Sequence, residues 1–246
     1  MRSALLLLAL FASGSVGCVN NDASLSILQM QAVTEATSCV ATSAVGVGLA
    51  RGILDVNFSN GIQGYLGFPI VRNNEVSRMP SSDSPELDSI QLLGANVSLS
   101  FTDPAAEAKV PVADRKFFWA SAGGRLDPSD TGPLPIEVVP IDVINALKVA
   151  SGSVVTVTAK IEPVGMQTSD RVVGGPIYFP VDICNGCLGN DLGACPLPAG
   201  TVATATCFPD QDTSATCCEK SSELLCGSLA PIAMATMSSA PPSRNQ

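Results

Sequence analysis

Seven cysteines crowd the 43 residues from Cys184 to Cys226, and an eighth, Cys39, stands far upstream. In an oxidising compartment thiols pair and persist, and a cluster of seven cannot pair within itself. Cys39 is therefore expected to tie the N-terminal region to the tail, which constrains every route the chain can take between them. Cys39, Cys184, Cys187, Cys195, Cys207, Cys217, Cys218 and Cys226 all read as disulfide-forming. Each closure of ten to thirty residues contributes roughly 3 kcal/mol. Adjacent Cys217 and Cys218 are poorly placed to bond each other, so each is expected to reach a different partner. Eight cysteines allow about 105 connectivities, and spacing does not choose among them.

A metal centre is the competing reading of the same stretch. Cys184-Asn-Gly-Cys187 could supply two tetrahedral ligands, but a zinc ribbon wants a second C-x-x-C some fifteen to twenty residues on. Cys195 and Cys207 stand alone instead. A redox C-x-x-C expects a thioredoxin-like βαβ setting, and the surrounding pattern does not supply one. Neither a metal nor any other cofactor is expected.

The compartment follows from the first eighteen residues, "MRSALLLLALFASGSVGC". Arg2, an apolar run of nine residues from Ala4 to Ala12 and a small-residue zone follow one another as in a secretory signal over residues 1–17. Nine apolar residues fall short of the roughly twenty that span a bilayer. "SVGC" looks like a bacterial lipobox, which makes Cys18 a lipidation site and the mature N-terminus. Ser15 stands where such boxes usually carry Leu, and small-x-small cleavage giving a soluble periplasmic or secreted product is the alternative. Setting Cys18 aside turns an odd nine cysteines into an even eight. Residues 18–24 would form a tether, and Val19 after Cys18 points to the outer membrane.

The net charge of −9 and pI near 4.4 give no electrostatic footprint for nucleic acid. The chain holds no histidine, which removes Ser-His-Asp and Cys-His nucleophile activation and imidazole metal sites. No catalytic residue is identified, and the chain does not read as an enzyme.

From residue 25 to 183 the apolar pattern has period two. Leu54, Val56 and Phe58 alternate on one side of Asn60-Gly61, and Ile62, Leu66, Phe68 and Ile70 on the other, which predicts a hairpin. Further strands are predicted at "SILQMQAV", "NVSLSF", "RKFFWASA", "SVVTVTAKI" and "PIYFPVDI". "PIDVINALKVA" predicts one short helix, with Pro140 in its first turn and Ile141, Ile144 and Lys148 on one face. Short alternating strands separated by turn residues predict an all-β class, an antiparallel Ig-like β-sandwich, with a jelly roll as alternative. Residues 184–227 are expected to be an irregular disulfide-rich tail packed on the sandwich, and 228–246 a flexible C-terminus.

Other candidate sites compete with ordinary structural uses. Asp83, Glu86 and Asp88, the pair Asp127 and Asp130, and the pair Asp210 and Asp212 could offer calcium oxygen ligands. None has EF-hand spacing, and Asp beside Pro, Ser and Gly is usual turn chemistry. Carboxylate pairs for glycoside hydrolysis cannot be selected among 22 acidic residues. Phe117 and Trp119 share one face of a strand and Phe118 the other, so one side fills the core and the other could stack on sugar.

The string "CVNND…LQMQAV…SCV…RGILDV…GYLGFPIVRNN…PVDICNGCLG…CP…DQD…CC" resembles a group of uncharacterised lipoproteins predicted from myxobacteria. The shared features are a Gly-x-Leu-Asp strand near the front, the C-x-x-C after the last long strand and the cysteine-rich tail. The resemblance implies a bacterial cell envelope, where the partners would be the membrane, through the N-terminal lipid, and an envelope protein or glycan. It implies no activity and assigns no functional residue.

Overall fold

The structure is a computed structural model that describes residues 23–33, 39–44, 46–57, 64–76, 88–121, 123–194, 207, 208, 210–220 and 223–226, with the backbone alone at 190–192, 215, 216, 219, 220 and 223–226. The expected signal segment, Cys18, most of the tether, Asn60-Gly61, Asp83, Glu86, Cys195 and residues 228–246 lie outside the described residues.

The chain is all-β, as the period-two pattern predicts. Two long strands, β6 (Ile90–Phe101) and β11 (Val154–Gln167), carry the largest sheet. Its order is β3 (Gly52–Asp55), β13 (Ile177–Cys184), β11, β6, β7 (Lys116–Ala120), with β12 (Asp170–Val173) on β11 and β8 (Arg125–Leu126) on β6. A second sheet runs β2 (Gly48–Leu49), β1 (Leu25–Gln31), β5 (Pro69–Asn73), β9 (Thr131–Pro133), and β4 (Tyr65–Gly67) pairs with β10 (Ile136–Val139).

One side of each long strand supplies the core. Val157, Ala159 and Ile161 of β11, Val97 and Leu99 of β6, and Phe179, Val181 and Ile183 of β13 are all buried. On β6 the buried set changes phase, from Ile90 and Leu92 to Ala95, Val97 and Leu99. An extra residue makes this possible. Val164 of β11 pairs with Gly94 and Gly165 with Leu92, so Leu93 is bulged and both apolar sets face inward. Phe117 and Trp119 pack against the core from β7, while Phe118 lies under the guanidinium of Arg171 at 5.3 Å.

Several sequence expectations need correction. The arms flanking Asn60-Gly61 do not form a hairpin. β3 pairs in parallel with β13, while β4 pairs with β10 and β5 with β1 and β9. The arms meet face to face: a Cβ added at Gly52 would sit 2.4 Å from the Tyr65 ring, so only glycine admits it there. Alternation marked strands on both sides of Asn60-Gly61, but the second arm is split into β4 and β5 in different sheets, and the edge pairing it predicted between the arms does not form.

The sheets are not wholly antiparallel either, since β14 (Gly189–Ala194) and β15 (Ala215–Lys220) also run in parallel. With β16 (Glu223–Cys226) they form a three-stranded sheet, so the described part of the tail is not wholly irregular. Two α-helices are present among the described residues rather than one. In the unexpected one, α1 (Pro104–Lys109), Asp103 accepts from the Ala105 N–H and Pro104 opens the first turn. α2 (Ile141–Leu147) matches the expected helix, but Pro140 is its cap and the buried stripe is Val143, Ile144 and Leu147. Lys148 ends it in a left-handed conformation, so it leaves the predicted face. Among the described residues, no helix is long and apolar enough to cross a membrane.

Candidate functional site

The most densely bonded polar region lies where β3 and β13 end. Their parallel register sets Asp55 beside Cys184. Asp55 is fully buried, and its carboxylate is surrounded by backbone donors. Oδ1 accepts from Gly186 N at 2.7 Å and Asn57 N at 3.0 Å, and Oδ2 accepts from Leu188 N at 2.7 Å. Gly189 N reaches the same Oδ2 at 3.4 Å. The loop after β13 is wrapped around one side chain, and Gly186 makes the wrap possible by taking φ +87°.

The segment Asp210–Gln211–Asp212 covers the free edge of β3. Asp55 N donates to Asp210 O at 2.8 Å and Asp212 N to Ile53 O at 2.9 Å, which blunts an edge that could otherwise recruit another strand. Its side chains then join β3 to β4. Asp212 accepts from Ile53 N at 2.8 Å and from the Tyr65 hydroxyl at 2.9 Å, and Gln211 Oε1 accepts from Leu66 N at 2.7 Å. A cavity of about 20 Å³ remains among Tyr65, Phe68, Phe208, Gln211 and Asp212. That is room for one water, not for an organic substrate.

Two disulfides bracket this region. Cys39 is bonded to Cys207, both sulfurs buried, and Cys184 to Cys187. Cys217 and Cys218 are each in a disulfide whose partner lies outside the described side chains. Cys226 sits opposite Cys217 in the β15–β16 ladder. One oxygen of Asp55 and the sulfurs of Cys184 and Cys187 lie within 4.8 Å of one another. As thiolates the pair would make this a three-donor set, but joined in a disulfide they offer a metal little.

The remaining sequence candidates scatter. Asp88 lends its backbone carbonyl to Asn73, and Asp127 pairs with Arg125 in solvent. Among the described residues, only Asp210 and Asp212 of these candidates come to the site. They serve there as anchors of the β3 edge, Asp212 through its carboxylate and Asp210 through its backbone carbonyl. Sequence reasoning passed over Asp55, Tyr65 and Gln211. Their partners stand about 130 to 147 residues away, and the only local hint is an Asp closing an apolar strand where a hydrophobe is usual.

Burial raises Asp210 and Asp212 to about 6; the neighbouring charge of Asp55 adds to the first, while the Ile53 N–H and Tyr65 hydroxyl oppose it in the second. Burial lifts Glu137 to about 7, against a hydrogen bond from Ile141. Each group holds its proton more tightly folded than unfolded. Stability from these groups is therefore fully present below about pH 4 and is lost as pH rises through 6 to 7. Allowing for their partial exposure, each contributes on the order of 1–2 kcal/mol. The melting temperature is expected to rise as pH falls from 8 to 5, and a flat or inverted profile in thermal melts would contradict the burial of these carboxyls.

No known protein family, curated protein or solved structure matches this chain.

Proposed function

We propose that the chain is an exported, lipid-tethered protein of a bacterial envelope with a non-catalytic structural, adhesive or binding role, its sheets an Ig-like sandwich. The observation that carries this reading is the Cys39–Cys207 bond. It joins buried sulfurs 168 residues apart, and a fold that depends on such a link belongs in an oxidising compartment. The secretory pattern before Cys18, the missing histidine, the water-sized cavity and the resemblance to envelope lipoproteins support it.

The test is the mass of the mature protein taken from its native cell. Lipidated Cys18 adds an acyl-glycerol mass to a chain beginning at that residue, with eight cysteines bonded. A soluble product lacking acyl groups removes the tether, and free thiols throughout remove the whole reading.

A glycan-binding role is the second reading, favoured by the outer face of the large sheet. Tyr178 is 65% exposed there. Beside it stand Lys160, Thr158, Ser98 and Ser100 in cross-strand register, an aromatic platform with hydroxyl and charged neighbours of the kind sugar rings accept. Oxidised protein and a Tyr178→Ala variant should differ in retention on polysaccharide or peptidoglycan. Equal retention dismisses this face.

A further inference from the structure

We propose that the Cys184–Cys187 disulfide is a thiol–disulfide exchange site, which takes two electrons from a partner dithiol through Cys187 while the fold stays intact. This goes beyond the structural role given to the cysteines as a set, and its test does not depend on the lipid anchor.

The two sulfurs are unequal. Cys184 is 1% exposed, whereas Cys187 is exposed at the surface. An attacking thiolate must approach one sulfur along the S–S axis, and only Cys187 offers itself. Cys39 and Cys207 are both buried and offer neither.

The loop does not need its disulfide to keep its shape. Asp55 holds the N–H groups of Gly186 and Leu188, Asn185 Nδ2 donates to Val149 O at 3.0 Å, and Gly152 N donates to Asn185 O at 3.0 Å. Val56 N holds the Cys184 carbonyl at 2.8 Å. Opening the bond therefore leaves both sulfurs in place, ready to close again.

Asp55 also shapes the chemistry. Its oxygen lies within 4.8 Å of both sulfurs, and a carboxylate there disfavours a second negative charge. In the first step the partner thiolate bonds to Cys187 Sγ, the Cys184–Cys187 bond breaks, and Cys184 leaves with the electron pair and takes up a proton. In the second, the partner's other thiolate attacks the partner sulfur of the mixed disulfide. Cys187 leaves with that bond's electron pair and is protonated in turn. The partner is oxidised to a disulfide, the pair is reduced to two thiols, and exchange with a more oxidising protein disulfide restores it. The partner class is an exported protein bearing an accessible dithiol.

The test uses the oxidised full chain in glutathione buffers of graded reduced-to-oxidised ratio, quenched by alkylation and mapped by peptide mass. The expected result is that Cys184–Cys187 opens at ratios where Cys39–Cys207 stays closed. A glutathione adduct should appear on Cys187 and not Cys184, with the circular dichroism spectrum unchanged. Opening of all disulfides together with loss of the spectrum overturns the proposal, as does an adduct confined to Cys184. A Cys184→Ala variant gives a second reading: treated with oxidised glutathione it should form a stable adduct at Cys187, and an inert Cys187 in the folded variant also overturns it.

Discussion

Replacing Cys39 and Cys207 together by serine is expected to lower the melting temperature by on the order of 10–20 °C. The pair closes a separation of 168 residues, and a cross-link of that span restricts the unfolded chain by about 5 kcal/mol in the chain-entropy account. The same account assigns the four-residue Cys184–Cys187 loop only about 2 kcal/mol. Both serines at the long link would also sit in buried positions, where a hydroxyl without a partner adds about 1–3 kcal/mol of penalty. The double variant is the right comparison, because a single one leaves a thiol free to mispair. Thermal unfolding of oxidised protein measures the difference, with a Cys184→Ser/Cys187→Ser variant beside it. If the short link costs as much as the long one, loop closure is not what the long one contributes.

The same bond shows what the sequence could and could not say. An odd cluster of seven cysteines demands an outside partner, and Cys39 was the available one; Cys207 was one of seven equal choices until the fold placed it. Alternation located β13, the second half of β6 and the first part of β11, because one buried face and one wet face is a local property of these strands. It even encoded the bulge, since Ile90 and Leu92 fall out of phase with Ala95, Val97 and Leu99. Edge choice is not local. Asn60-Gly61 carries a strong hairpin signal, yet Gly52 lets β3 lie across from Tyr65 rather than beside β4, and β3 finds its neighbour in β13. The tail sheet was missed because Pro, Gly and Asp between the cysteines mask three short strands. Asp55 was invisible for a related reason: its donors come from a loop about 131 to 134 residues later.

Substituting Asp55 by alanine is expected to destabilise the fold by roughly 4–6 kcal/mol, a large share of the 5–15 kcal/mol that holds a typical domain together. The side chain is fully buried, and its removal leaves the N–H groups of Asn57, Gly186 and Leu188 without their acceptor. An orphaned donor costs about 1–3 kcal/mol where it is buried, as at Leu188, and less where water can enter, as at the exposed Asn57 and Gly186. Asparagine should recover part of the loss. Its single amide oxygen can serve one donor group, either the Oδ1 side with Asn57 and Gly186 or the Oδ2 side with Leu188, while its NH₂ opposes the other. Urea unfolding gives the energies, and hydrogen exchange at the Gly186 and Leu188 amides reports the loop itself. A pH effect distinguishes this account from generic damage. Asp55 raises the Asp210 carboxyl by charge repulsion, so alanine relieves a repulsion that exists only when Asp210 is ionised. The penalty for Asp55→Ala should therefore be smaller at pH 8 than at pH 5. A penalty below about 1 kcal/mol, or one that grows with pH, would mean that the loop is held by something other than this carboxylate.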